Sequence, residues 1–203
     1  FMKILFTASE CVPFIKTGGL ADVVGALAPV LAAQGHDVRV ILPLYSTIPQ
    51  KWTEQLTHVC DFEVQLGWRR QYCGIEKLEM NGVTWYFMDN KYYFGRPYIY
   101  GLGGDEYERF GFFCRGALNA LPLLDFQPDV IHAHDWQSGM VPALLKIQYA
   151  HLPFFAGIKT VFTIHNLQYQ GIFGIREVQD VLGLGDSLWT NDKLECFGCA
   201  NYM

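Results

Sequence analysis

The chain opens on an apolar run, Lys3-Ile-Leu-Phe-Thr-Ala8, that reads as a short buried strand. Behind Gly18-Gly19, apolar residues fall at Leu20, Val23, Val24, Leu27 and Leu31, the spacing of one helix face. Pro29 lies inside that run, removes a backbone donor and is expected to kink or split the helix. Gly35 is the expected stop, and Val38-Arg-Val-Ile-Leu42 follows as a second strand ended by Pro43. Strand, glycine turn, helix and strand in this order make a βαβ unit.

The middle of the chain changes period. Segments 62–66, 72–80 and 83–88 read as strands, and Asn81-Gly82 is a strong hairpin signal, so an antiparallel insertion or edge is expected here. Positions 90–105 form an aromatic, glycine-rich loop, followed by a helix over 106–124 with Phe110, Phe113, Cys114, Ala117, Leu118 and Leu121 on one side. Alternation then resumes: a strand over 129–133, a helix from about 138 to 149 containing Pro142, and a strand over 159–164. The tail from Gly171 is glycine-rich and less regular, with a weak helix over 175–182. The expected class is α/β, with a mostly parallel sheet and an antiparallel hairpin insertion.

Composition narrows the function classes. Half of the residues are hydrophobic (51%), only 17% are charged, and such a chain buries a large core rather than staying disordered. A net charge of −5 with no basic block argues against a nucleic-acid footprint or an anionic-membrane patch. Uncharged stretches such as 23–36 are shorter than the ~20 apolar residues of a membrane span, and no secretory leader is read at the start. The six cysteines are expected to be reduced, buried thiols; Cys196-Phe-Gly-Cys199 has C-x-x-C spacing but no second pair to complete a zinc site.

In an open parallel sheet, ligands bind at the carboxyl ends of the strands. Three apolar strands here end in polar clusters: Ser9-Glu10 with Lys16-Thr17-Gly18-Gly19, His134-Asp135-Trp136, and His165-Asn166. Parallel pairing would bring all three to one rim. Lys16-Thr-Gly-Gly-Leu20 sits at a helix start, where glycine permits close approach, free N–H groups favour an anion and Lys16 adds charge. A phosphate-bearing ligand is the natural guess; an ordinary tight turn with a solvated lysine is the alternative. Neither a P-loop nor a G-x-G-x-x-G fingerprint is present. His132 and His134 share a strand face, so with His165 and a carboxylate they could hold a divalent metal; the alternative is a packed His132 and an Asp135 that caps the next helix. Tyr92, Tyr93, Phe94, Tyr98 and Tyr100 could stack on sugar rings or simply cover the core.

These residues resemble a known family. Lys16-Thr-Gly-Gly-Leu-Ala-Asp22-Val-Val-Gly-Ala-Leu27 is similar to the signature of bacterial glycogen synthases and plant starch synthases. Ser9-Glu10-Cys-Val-Pro13, Gly35-His-Asp-Val-Arg-Val40, Arg109-Phe110 with Phe113, His132-Ala-His-Asp-Trp136 and His165-Asn-Leu-Gln-Tyr-Gln-Gly171 fit as well, in order along the chain. The resemblance implies a Rossmann-like N-terminal domain of a two-domain, GT-B type glycosyltransferase. Such enzymes are retaining and metal-free, need no cofactor, and transfer glucose from ADP-glucose (or UDP-glucose) to the non-reducing 4-OH of an α-1,4-glucan in the cytoplasm.

Carried over by resemblance, Lys16 and His165 would be catalytic, Lys16 contacting donor phosphates or sugar and His165 the transferred glucose. Gly18 and Gly19 would offer N–H groups to the diphosphate, Asp22 would orient the loop, and Asn166 would support His165. Asp135 would sit near the acceptor end, and Tyr100 and Tyr169 are weaker candidates for acceptor or loop contacts. This chain departs from the family in Phe94-Gly95-Arg96-Pro97, where an Asp commonly precedes Arg-Pro, and in a Pro29 shifted by one position. Residues 1–203 are expected to be this N-terminal domain cut near its end, without the C-terminal donor-binding domain, and alone to have little or no transferase activity. Two other readings stand: a metal-dependent hydrolase on His132, His134 and His165, and a non-catalytic glycan-binding module.

Overall fold

A computed structural model describes residues 1–101 and 104–203. β1 (Lys3–Thr7) leads to α1 (Gly19–Ala33), which returns to β2 (Asp37–Pro43). After a single helical turn, α2 (Gln50–Thr53), come β3 (Thr57–Leu66), β4 (Arg69–Met80) and β5 (Val83–Asp89). Another short turn, α3 (Lys91–Phe94), precedes the long α4 (Glu106–Leu123), then β6 (Val130–His134) and α5 (Asp135–Leu144). α5 runs on as one π-helical turn over Leu145–Tyr149 before β7 (Lys159–Thr163). The tail holds β8 (Ile172–Phe173), α6 (Ile175–Leu182), β9 (Glu195–Cys196) and β10 (Cys199–Asn201).

Seven strands form one sheet in the order β3-β4-β5-β2-β1-β6-β7. The five from β5 to β7 are parallel, and β3 and β4 add antiparallel strands at one edge, as the change of period predicts. The central strands are buried on both faces, with Phe6, Val40 and Ile131 at or near zero exposure, which is why they read as unbroken apolar runs. Asn81 and Gly82 both have positive φ, the requirement of a two-residue turn between twisted strands. β1 is the switch point: the chain leaves it toward β2 on one side and reaches β6 on the other, which opens a crevice above their carboxyl ends.

One local expectation is corrected. Pro29 neither splits nor ends α1, which runs unbroken from Gly19 to Ala33. It costs the helix one donor, while Leu20, Ala21, Val24 and Ala28 hold the apolar face against the sheet. Of the two readings of the aromatic loop, whose positions 102 and 103 lie outside the described residues, each holds for part of it: Tyr93 and Phe94 are fully buried in the core, whereas Tyr92 is exposed and Tyr100 lines the cleft described below. Arg109, also fully buried, fixes that loop by donating to the Tyr93 and Ile99 carbonyls. Arg96, beside the departing Gly95, pairs instead with Asp105 through two hydrogen bonds of 2.8 and 2.6 Å.

β8, β10 and β9 form a small antiparallel sheet in the tail that the sequence pattern does not announce. Cys196 and Cys199 face each other across its Phe197-Gly198 turn, and all six cysteines are free thiols. Burial pushes Cys114 up to about 12 and raises Cys11 and Cys73 further, so these three stay protonated core thiols. Among the described residues no helix is long and apolar enough to cross a membrane.

Candidate active site

The carboxyl ends of β1, β6 and β7 meet at a cleft of about 700 Å³. Its lining includes Gly18, Gly19, Tyr100, Asp135, His165, Asn166 and Tyr169, seven of the residues singled out from the sequence. Lys16 and Asp22 are not part of that lining. They form an exposed ion pair at 2.7 Å beside the glycine turn, so Asp22 holds Lys16 rather than the loop backbone.

Glu10 organises the glycine side of the cleft. It is 2% exposed, directly after β1, and receives three hydrogen bonds: from Gly18 N–H at 2.9 Å, Thr17 Oγ1 at 2.5 Å and Tyr100 OH at 2.9 Å. The Gly18 N–H is therefore taken by protein, a correction to the expectation that it awaits a phosphate. Gly18 is extended (φ −149°) and brings no side chain of its own to cap α1, so the Glu10 carboxylate is the group held at this helix start. A Cβ on Gly19 would meet nothing within 4 Å among the described residues, and its φ is not positive. The fold thus does not require glycine at 19; the bare position leaves room at a helix N-terminus whose amides and dipole favour an anion.

Tyr100 also meets Ser9 Oγ at 2.6 Å, and Tyr45 OH donates to the Ser9 carbonyl at 2.8 Å. Burial, with Tyr45 and Glu10 adding to it, raises the Tyr100 phenol well above its ordinary range and keeps it a hydrogen-bond donor. The sequence lists Glu10 as a strand-end polar residue but gives no sign of this network, because its partners come from positions 17, 18 and 100.

On the opposite side, Asp135 does not cap α5. It occupies left-handed backbone (φ 56°), and its Oδ1 accepts the His165 N–H at 2.7 Å, joining the end of β6 to the end of β7. Asn166 Oδ1 accepts Gln168 N–H, shaping the turn that carries the exposed Tyr169. Gly171 has positive φ and lies on the Trp136 indole, where a Cβ would come within 2.6 Å of ring atoms, so the loop closes down on the cleft wall only with glycine here. Trp136, named in the strand-end cluster, lines the cleft as that placement implies, and Gln137, also cleft-lining and buried, is a further site residue that sequence reasoning missed.

The histidines are close but are not arranged as metal ligands. His132 and His134 stack face to face, centroids 4.1 Å apart, and His132 Nε2 is bonded to Thr163 Oγ1 at 2.7 Å. His134 Nδ1 and His165 Nε2 are 3.0 Å apart and aim at each other, not at a common third point. Among the described residues no group of three or more His, Cys, Asp or Glu is placed to hold a metal ion. Burial, reinforced by His132 and His165, pushes His134 down to about 3, and burial lowers His132 as well. The hydrolase reading is not favoured.

A Rossmann-like sheet with a ligand-sized cleft at its switch point, an antiparallel edge and helices on both faces is the architecture of the N-terminal half of a GT-B glycosyltransferase. A family model of the starch synthase catalytic domain matches residues 3–203, and the chain belongs to that family. It is 54% identical over 202 residues to a glycogen synthase of Anoxybacillus flavithermus and 55% identical over 202 residues to one of Desulforamulus reducens. In each case all of this chain is matched but only 42% of the relative, so the chain spans less than half the length of these relatives. Among solved structures it is similar to the catalytic domain of starch synthase IV from Arabidopsis thaliana bound to ADP and acarbose, with a TM-score of 0.89 and 28% identity over 99% of this chain and 42% of that one. A sucrose-phosphate synthase from Thermosynechococcus elongatus shares the fold, with a TM-score of 0.52 at 15% identity.

Proposed function

We propose that this chain is the acceptor-side half of a retaining glucosyltransferase that moves glucose from ADP-glucose or UDP-glucose to the non-reducing 4-OH of an α-1,4-glucan. The observation that carries the reading is the switch-point cleft, with the N-terminus of α1, its Gly18 amide held by Glu10, and an open Gly19 on one wall and the Asp135–His165 pair on the other. The first wall suits the negative charge of a nucleotide sugar, and the second suits sugar hydroxyls. Lys16, exposed and 2.7 Å from Asp22, is within the same turn and free to swing toward a leaving diphosphate. Catalysis would rest on positioning and on charge stabilisation of that diphosphate, with no metal required.

The relatives are more than twice as long as this chain, and the arginine, lysine and glutamate contacts to the nucleotide would come from a second lobe beyond residue 203. A cytoplasmic setting, where nucleotide sugars are made and used, fits the reading. The test compares two proteins with ADP-glucose and a maltooligosaccharide: the 203-residue chain, and a longer protein in which a second lobe follows it. Glucan elongation by the longer protein, with little or none by the chain, is the expected outcome. Elongation by the chain at the longer protein's rate would overturn the half-enzyme reading, and elongation by neither would overturn the activity itself.

A further inference from the structure

His134 and His165 form an in-plane pair. Their nitrogens are 3.0 Å apart, their ring planes differ by only 18°, and their centroids are 5.2 Å apart. Two rings lying one over the other could not have centroids so much farther apart than the contacting nitrogens. The rings therefore meet edge to edge, and an N–H···N bond lies in both planes, the favoured direction for an imidazole donor and lone pair. By contrast, His132 does stack on the His134 face at 4.1 Å, and Phe6 packs against both rings.

A bond between two neutral imidazoles contains one proton, on one side or the other. If His165 Nε2 carried it, neutral His134 would have to keep its own proton on Nε2. That atom is buried and has no hydrogen-bond partner among the described residues. A buried N–H without an acceptor is among the rarest features of native proteins, whereas a buried lone pair is better tolerated. The proton therefore belongs to His134 Nδ1, and the bare lone pair to His134 Nε2.

We infer that His134 is a positioning residue that fixes His165 in its Nδ1–H tautomer, so that His165 presents a neutral hydrogen-bond donor to the cleft. His165 Nε2 is occupied as an acceptor, and Nδ1 is the ring nitrogen with no protein partner among the described residues. The Asp135 bond to the His165 amide fixes the backbone of the same residue, so both ends of His165 are held from the β6 terminus. A second proton on His165 would have to enter at Nε2, against His134 Nδ1–H. It could do so only if His134 moved its own proton to the partnerless Nε2. His165 is thereby set as a donor to a sugar oxygen and not as a proton shuttle. This inference rests on the proposed function only for the identity of what His165 contacts; the tautomer itself does not depend on it.

Long-range ¹H–¹⁵N spectra of the histidine rings in the 203-residue chain separate the two tautomers directly. The expected result is one His165 signal set with a protonated Nδ1 and an acceptor-type Nε2; a protonated His165 Nε2 would overturn the inference. Replacing the ring by a same-shaped one without nitrogen, His134→Phe, should turn His165 into a tautomer mixture, while His134→Asn, whose amide N–H₂ sits near the Nδ1 position, should restore the Nδ1–H form. An unchanged His165 tautomer in a folded His134→Phe chain would also overturn it, and if that variant does not fold the wild-type spectrum decides alone. In the longer protein, His134→Phe should lower kcat about tenfold with KM little changed, less than the 10²–10³ lost when a donor is removed outright, and His134→Asn should recover it. Absence of transfer in the wild-type longer protein would count against the proposed function while leaving the spectra, and the inference, intact.

Discussion

The His165 amide donates to Asp135 Oδ1 at 2.7 Å, and Asp135 itself occupies left-handed backbone at φ 56°. A non-glycine residue in that region costs of order 1–3 kcal/mol and is held only by its surroundings. Asn shares the tolerance for left-handed backbone and keeps an oxygen at the δ position; Ala has neither. Asp135→Asn should therefore lie within about 1 kcal/mol of wild type in urea unfolding, and Asp135→Ala should lose roughly 2–3 kcal/mol. Equal losses in the two variants would mean that the bond to His165 contributes nothing.

Two glycines should behave in opposite ways. A Cβ on Gly139 would fall 1.6 Å from the Tyr202 carbonyl oxygen, where α5 meets the end of β10, so Gly139→Ala must push the C-terminal strand off the helix. A loss of about 2–4 kcal/mol is expected, seen as a lower denaturation midpoint. Gly19→Ala meets nothing inside the protein and lies at the start of α1, where alanine favours helix by up to about 1 kcal/mol. It should leave stability equal or higher while reducing transfer by the longer protein on the order of 10²-fold through misplacement of the donor. A fully active Gly19→Ala enzyme would remove the glycine turn from the site.

Lys16 offers a cleaner separation of function from folding. Its partner Asp22 is as exposed as Lys16 itself, and exposed pairs contribute about 0–1 kcal/mol. Lys16→Ala should melt within a degree or two of wild type yet transfer roughly 10²–10³-fold more slowly, the cost of one charge-stabilising donor. Normal transfer by this variant would restrict Lys16 to a solvated surface lysine.

The parallel core was legible because its strands are buried on both faces and read as apolar runs, and because α1 and α4 keep helical spacing. The rim of the cleft was legible for the same reason: once β1, β6 and β7 are parallel, the residues after them share an edge. What the pattern could not carry was partner choice. Nothing in Lys16-Thr-Gly-Gly says that Glu10 takes the Gly18 amide, or that Lys16 turns to Asp22 and away from the cleft lining. The tail sheet was hidden because strands of two or three residues have no period to detect. An Asp between the end of β6 and the body of α5 has the sequence position of a helix cap, yet it is the first residue of α5, and only the arrival of β7 beside it gives its carboxylate the His165 amide.

Acid should expose the buried histidines. His134 is held down to about 3, mainly by burial, against 6.5 for an ordinary histidine, and His132 is lowered in the same way. The unfolded chain therefore takes up protons below pH 6.5 that the folded chain refuses. The stability associated with His134 is fully present above pH 6.5 and is lost as pH falls from there toward 3. Each such group contributes a slope of about 1.4 kcal/mol per pH unit within its window. The carboxylate of Asp105, lowered below 3.8 against burial by its hydrogen bond to Arg96, adds its own loss only at the acid end. Urea unfolding of the chain at pH 7, 6, 5 and 4.5 should show stability flat near neutrality and falling with increasing slope below 6.5. His134→Phe removes one group from that count, so its curve should fall less steeply by about one proton between pH 6 and 4.5. Parallel curves for the two proteins would show that His134 titrates alike in the folded and unfolded chains, contrary to its burial between His132, Phe6 and His165.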